Sequence, residues 1–505
     1  MRADQLGRCD GRPAGGRRRN PPGFDSRGRS VTPPDDRIPL VQKLAYALGI
    51  FVNHLQSAGL DAMVVILNLG LGMDPRLVGI ISFVSRGLDA LSDPVVGYIS
   101  DTTASRWGRR RPYILCGALM SGLIFAAMWQ LPTGLSEQFY FWCCLATFSL
   151  FYLAFTLFAT PLIALGYELT ADYHERTQLQ AVANMFGQAV WIGAPWIYAF
   201  LASDLFDNTV EGVRVLAIII GGAMCVVGIV PALVCRERPA SPSAETPTRK
   251  PRLTAHGVRE HTGKFFRELV AVFRCRPYVK LCTATFLVFN GFQLGTTFSL
   301  YVLIYYIFSG DNQQAGTLLG AFGTGTACCA LGVIALTPWL SRRLGKRTAL
   351  ATTIAISLIG YVLKWFGYDP QRPYLLLFAC PFVAFGVGSL FTLISSMLAD
   401  VCDYNELVRG ERREGVFGAV YWWMVKVGMA LAGLLGGVLL SASGFDVDLA
   451  AQSQATLLQL RLFDVGIPFV TSALAIGVLM TYSIDESTAR DIRAQLEERR
   501  SMTLP

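Results

Sequence analysis

Residues 75–112 read PRLVGIISFVSRGLDALSDPVVGYISDTTASRWGRRRP. The part from Pro75 to Ser100 is apolar at most positions and exceeds the ~20 residues a helix needs to cross a bilayer. It is entered through Asp74-Pro75 and left through Arg106, Arg109, Arg110 and Arg111. Inside it stand Arg86, Asp89 and Asp93, at i, i+3 and i+7, so the three share one helix face. A charge inside a membrane costs several kcal/mol unless it is paired or wet. The stretch therefore reads as a membrane span with one polar face turned into the protein. Two carboxylates one turn apart, with hydroxyls nearby, make a natural site for Na⁺ or for a shared proton. The other reading of Asp93-Pro94, the start of a turn, leaves the stretch Val95 to Ser100 before Asp101 unexplained.

Similar stretches recur along the whole chain. They predict spans at roughly 40–65, 75–100, 112–131, 138–166, 179–202, 213–235, 279–308, 315–340, 348–368, 373–399, 415–440 and 462–483. The breaks fall at turn chemistry: Asp74-Pro75, Leu131-Pro132-Thr133-Gly134, Ser309-Gly310-Asp311-Asn312 and Asp369-Pro370. The composition agrees, with 52% hydrophobic and only 16% charged residues and a mean hydropathy of +0.42. A soluble chain carries about 25% charged residues. Lipid offers no hydrogen-bond partner, so the spans must be helices, and the 49 glycines suit close helix contact. The expected fold is all-α: twelve transmembrane helices in two halves of six, residues 39–235 and 276–485.

Lys and Arg set the orientation. Arg106, Arg109, Arg110 and Arg111 follow span two, Arg342, Arg343, Lys346 and Arg347 follow span eight, and Arg409, Arg412 and Arg413 follow span ten. The alternate connections hold isolated charges or none, which predicts a cell-membrane protein with both termini cytoplasmic. The net charge of +8 is thus a topology signal and not a nucleic-acid signal. Residues 1–38, with Arg17-Arg18-Arg19, are expected to be a disordered tail, without the apolar core of a signal peptide; 486–505 form a second cytoplasmic tail. The polar stretch 236–275, with Pro239-Ala240-Ser241-Pro242, is expected to be a cytoplasmic linker ending in an amphipathic segment at Gly263–Phe273.

The halves echo each other. Arg106-Trp-Gly-Arg-Arg-Arg corresponds to Arg342-Arg-Leu-Gly-Lys-Arg, and Glu168…Asp172-Tyr173…Glu175-Arg176 to Asp400…Asp403-Tyr404…Glu406. Such a repeat places a substrate at the midplane between the halves. Lys426, amid apolar neighbours in span eleven, is expected to pair with the span-two acids; the alternative is a lysine snorkelling to the surface. Asn53, His54, Gln56 and Asp61 in span one are candidate solute contacts. His54 suits a proton relay or a packing hydrogen bond, and Trp422-Trp423 a sugar face or lipid. The arginines of the span 2–3 loop, with Asp101, Asp400 and Asp403, are expected to gate, by holding helix-end carbonyls and neighbouring acids in one conformational state. The twelve cysteines show no CxxC and no metal spacing; most, such as Cys143–Cys144, Cys328–Cys329 and Cys380, sit in apolar segments as small buried hydrophobes. No GxxxxGK[ST] loop or nucleophile elbow appears, so neither an ATP engine nor an enzyme is expected, and no cofactor beyond a coupling H⁺ or Na⁺.

Asp89-Ala-Leu-Ser-Asp-Pro-Val-Val-Gly and Ser105-Arg-Trp-Gly-Arg-Arg-Arg-Pro resemble the glycoside–pentoside–hexuronide:cation symporter family. Glu175-Arg-Thr-Gln-Leu, Asp400-Val-Cys-Asp-Tyr-Asn-Glu and Val425-Lys-Val-Gly extend the resemblance over about 40–485. It implies a major-facilitator fold working by alternating access. It implies that Asp89 and Asp93 are cation-site acids, Thr156 a span-four hydroxyl near the cation, and Lys426 and Arg86 the family's span-eleven lysine and span-two arginine. The departures lie at the cation site and where galactoside carriers hold their sugar. Ser92 replaces an Asn between the acids, which leaves both H⁺ and Na⁺ open. Asn53-His54 replaces a Lys-Asp pair, Ala159 an Asp, Ile163 a Trp, and Asn184 an Arg. The expected substrate is a sugar, glycoside or uronide other than a galactoside, carried by a monomer. A lysophospholipid carrier and a non-transporting sensor are the alternatives.

Overall fold

The structure, a computed structural model, describes residues 23–24, 30–31, 38–103, 105–170, 173–237, 255–410, 414–449 and 451–503. The basic tail expected over 1–38 thus lies almost wholly outside the described residues, as do Asp172, Pro239-Ala240-Ser241-Pro242, Arg412 and Arg413. Of that tail, Gly23–Phe24 and Ser30–Val31 form a two-residue antiparallel pair.

Twelve long helical segments follow. Span one is Leu40–Leu69, span two Pro75–Thr102, span three Arg111–Met128 and span four Glu137–Glu168. Span five is Tyr173–Gly193, continued as short turns to Leu201, and span six is Thr209–Val234. After a linker helix at Ala255–Val272 come span seven, Arg276–Ile307, span eight, Asn312–Leu344, and span nine, Lys346–Gly367. Span ten is Pro373–Arg409, span eleven Glu414–Ala442 and span twelve Gln454–Met480; a tail helix, Glu486–Thr503, ends the described chain. Ten of the twelve are long and apolar enough to cross a membrane. The other two are span two, with Arg86, Asp89 and Asp93, and span five, with Glu175, Arg176, Gln178 and Gln180.

Five spans open on a side chain that satisfies an orphan amide of its own first turn. Asp74 accepts from the Arg76 amide, Ser136 from Phe139, Asn208 from Glu211, Asp311 from Gln314 and Ser453 from Thr456. These caps explain the main boundary shifts. Ser453 starts span twelve at Gln454 rather than near 462. At the other end of a helix, Gly410 (φ +74°) is the left-handed cap that stops span ten. Asp400 and Asp403 therefore ride on the last turns of a helix and not on a loop. The linker helix likewise begins at Ala255, ahead of the expected Gly263.

The two ends of the bundle differ. At the end remote from the termini, the halves are in contact along small residues. A Cβ on Gly79 would meet the Gly433 and Leu434 carbonyls at 3.1 Å, and one on Gly437 would strike the Pro75 carbonyl. The Tyr301 hydroxyl donates to Asn68 Oδ1 at 3.0 Å, and Trp196 Nε1 to Thr324 Oγ1 at 2.7 Å. The apolar core runs without a break across this seam, from Met63, Ile66 and Leu67 to Tyr301, Ile304 and Phe445. At the terminal end, the second half keeps a separate core of Tyr278, Leu281, Val401, Phe417 and Tyr482, on which Ile492 and Leu496 of the tail helix pack. Asp485 caps that helix, accepting from Thr488 and Ser487, and these bonds lower its pKa to about 2. A lowered carboxylate stabilises above its ordinary range, and this cap is lost only as pH falls through about 2.

Since helices in lipid associate through close van der Waals packing, a side chain at Gly79 should hold the remote end open. In Gly79→Leu, a cysteine pair placed across this seam is expected to cross-link at least about tenfold more slowly than in the parent. Equal cross-linking would show that the glycine contact does not close the seam.

Candidate functional site

Span two presents Asp89 and Asp93 to span eleven, and Lys426 lies between them. Its Nζ is 2.9 Å from Asp89 Oδ2 and 2.6 Å from Asp93 Oδ2. The second oxygen of each acid is held from span four. Thr156 Oγ1 donates to Asp89 Oδ1 at 2.6 Å, and Thr160 Oγ1 to Asp93 Oδ1 at 3.0 Å. Ser92 Oγ lies 2.9 Å from Thr156 Oγ1 and 3.0 Å from the Asp89 carbonyl. Two carboxylates and three hydroxyls form an oxygen-only cluster, the donor chemistry that hard cations take. The helix runs through Pro94 to Thr102, so Asp93 does not begin a turn.

The acids are not equivalent. Asp89 is 4% exposed, while the side chains of Asp93 and Lys426 are 26% and 30% exposed. Asp89 is sealed among protein atoms, and Asp93 is the more exposed of the two acids. Lys426 belongs to the second half and the acids to the first, so this ion pair ties the halves together.

Other expected site residues fall elsewhere. Arg86 does not pair with the span-two acids; its guanidinium bonds Asp61 of span one and lies 5.9 Å from the Tyr152 ring. Asp61 is therefore committed to a protein partner. Gln56 is fully buried, and neither amide atom has a partner among the described residues. Asn53 Oδ1 is likewise without a partner among them. His54 Nδ1 accepts a 2.9 Å hydrogen bond from Trp191 Nε1, with the rings edge to face. Asn184 is exposed on span five. Trp422 is 56% exposed and stacks on Phe391 at 5.7 Å, and Trp423 meets Phe266 of the linker helix.

Among the described residues, several charged groups at the terminal end meet partners in their own half. Arg110 bridges Asp101 at 2.7 Å and Glu168 at 3.0 Å, and Arg109 also meets Glu168 at 3.0 Å. Arg111 donates to the Ala232 and Leu233 carbonyls at the end of span six. Glu237 accepts from the backbone amides of Arg109, Arg110 and Arg111. Arg106 is exposed. In the other half, Asp400 meets Lys346 at 2.5 Å and Arg493 of the tail helix at 2.7 Å, and Arg493 also reaches Asp403 at 3.5 Å.

Two features escaped the sequence reading. Thr160 was legible as the position one turn beyond Thr156. The second is a buried charge cluster: Lys364 of span nine lies 2.7 Å from Asp464 Oδ1 of span twelve. Ser299 donates to the same oxygen at 2.6 Å, and Tyr368 to Oδ2 at 2.5 Å. With span twelve placed at 462–483, Asp464 looked terminal; with the helix starting at Gln454, it lies well inside.

Twelve helices in two halves, joined by an acid–ammonium contact between spans two and eleven, define a multi-pass secondary carrier. The chain belongs to the MFS/sugar transport protein family, whose model matches residues 45–486. It is 24% identical over 468 residues to the isoprimeverose transporter of Lactiplantibacillus pentosus, covering 92% of each chain. It is also 24% identical over 501 residues to the sodium-dependent lysophosphatidylcholine symporter 1 of Gallus gallus, covering 92% of this chain and 90% of that one. Among solved structures, a bacterial homologue of the human lysosomal transporter Spinster, in an inward-facing and occupied conformation, matches with a TM-score of 0.60 at 13% identity. The match covers 88% of this chain and 95% of that one, and it bears on the fold alone.

Proposed function

We propose that the protein couples the uptake of a sugar, glycoside or uronide to one monovalent cation by alternating access. The observation that carries this reading is the position of Lys426 Nζ, within 2.9 Å of both Asp89 and Asp93 across the interface of the halves. Asp61, Asp89 and Asp93 set against Arg86 and Lys426 leave the buried group with one excess negative charge, which a single H⁺ or Na⁺ neutralises. That cation takes the place of the ammonium between the acids, with Ser92, Thr156 and Thr160 supplying hydroxyls. Once Lys426 is displaced, the tie between the halves loosens and they rock past one another.

In this reading the arginine-rich terminal end is cytoplasmic and the seam at Gly79 and Gly437 is the outer gate, closed in this conformation. A cysteine introduced at Ser241, outside the described residues, should resist an impermeant maleimide in intact cells; ready labelling would reverse the topology.

Carriage of a lysophospholipid is the second reading. It draws support from the Gallus gallus relative, from the full burial of Gln56 and from the pairing of Asp61 with Arg86. A panel decides between the two: labelled isoprimeverose, sulfoquinovose, a glucuronide, melibiose and lysophosphatidylcholine, offered to proteoliposomes under separate pH and Na⁺ gradients. Uptake of a sugar other than melibiose is the expected result. Uptake of the lysolipid alone would install the second reading, and robust melibiose uptake would refute the account of Ala159 and His54.

A further inference from the structure

One turn outward from Asp89 lies a small cavity that the coupling cycle, as described, does not use. Asp61, Ser82, Arg86 and Tyr152 line its polar side, and Leu60 and Phe148 are among the residues that close it. It leaves about 20 Å³ for the centre of a water molecule, where roughly 10–15 Å³ suffices for one. Two buried polar atoms at its wall, Asp61 Oδ2 and the Tyr152 hydroxyl, have no hydrogen-bond partner among the described residues. Tyr152 is itself only 5% exposed. Buried groups of this kind are rarely left unsatisfied, and a bridging water is their usual partner.

We infer that this cavity is the outer proton entry station for the coupling site, with Asp61 as the group that takes the proton. The inference rests on the reading of Asp89 and Asp93 as the coupling acids and adds the identity of the ion. Its position suits an entry point, because it lies between the outer seam, where Ser82 packs against Gly433, and Asp89. Its chemistry suits a proton and not a metal ion. One carboxylate oxygen, one phenol and one serine hydroxyl fall short of the oxygen shell that Na⁺ would need, and the guanidinium of Arg86 repels a metal cation at that spot. A proton needs no shell. It passes from outer water, through a water held between Tyr152 and Asp61, onto Asp61 Oδ2 as an O–H bond. The neutral acid then loosens its hold on Arg86. The same O–H then gives the proton up, through water, to the Asp89–Asp93 pair, and Asp61 and Arg86 pair again. Among the described residues, Arg86 from span two and Tyr152 from span four are the other ionisable side chains lining the cavity.

Infrared difference spectroscopy of the purified, reconstituted protein between neutral and mildly acidic pH tests this without any substrate. Two protonating carboxyl C=O bands are expected, one absent in Asp93→Asn and the other absent in Asp61→Asn. Asp61→Glu should shift the second band without losing it, which guards against a misfolded Asn variant. Tyr152→Phe should move its pH midpoint, and added NaCl should leave it unchanged. If Asp61→Asn and Asp61→Glu both leave every titrating band as in the parent, or if Na⁺ abolishes the Asp61 band, the entry station is refuted while the Asp93 band still stands. Loss of no band in Asp93→Asn would instead count against the coupling site itself.

Discussion

Asp93→Asn is expected to abolish accumulation of substrate against its gradient while leaving exchange across the membrane within about threefold of the parent. An exchange that moves no net cation needs only a site that stays neutral, and an amide supplies that permanently. Accumulation needs the site to load on one side and unload on the other, which an amide cannot do. Asp93 and not Asp89 is the informative position, since its side chain is 26% exposed against 6% for Asp89. Counterflow and gradient-driven uptake measured on the same proteoliposomes separate the two outcomes. Undiminished accumulation by Asp93→Asn would place the cation site elsewhere.

The second large effect concerns stability. Asp464 is fully buried and Lys364 is 4% exposed, and every oxygen of the acid is engaged by Lys364, Ser299 or Tyr368. Removing one partner from such a pair costs about 3–5 kcal/mol, because the other charge stays buried alone, whereas replacing both with apolar groups is close to neutral. Asp464→Leu should therefore yield little monodisperse protein on size exclusion, and Lys364→Met with Asp464→Leu should recover most of it. A stable Asp464→Leu protein would mean that Lys364 finds water or another anion.

The fold was legible because its signals are long: repeated apolar runs, several bounded by turn chemistry and alternately flanked by arginine. The Asp89–Asp93 face was legible because helical spacing alone sets it. Pairing across helices was harder to read. Arg86 shares a face with both acids, yet it turns to Asp61 on span one, since sequence spacing says nothing of which neighbouring helix supplies the stronger partner. The span-one polar set was read as a solute surface, but Gln56 is sealed and His54 is held by Trp191, a contact 137 residues away in the chain. Lys364 and Asp464 were missed because a helix end was misplaced by eight residues, and a charge assigned to an end attracts no attention.

The most direct test of one-cation coupling is the steady-state accumulation ratio in proteoliposomes, followed as the imposed cation gradient is varied at zero membrane potential. For one cation per neutral solute, each ~tenfold step in the gradient should raise the ratio about tenfold, an increment of ~1.4 kcal/mol. A ratio that stays at unity whatever H⁺ or Na⁺ gradient is imposed would contradict the account.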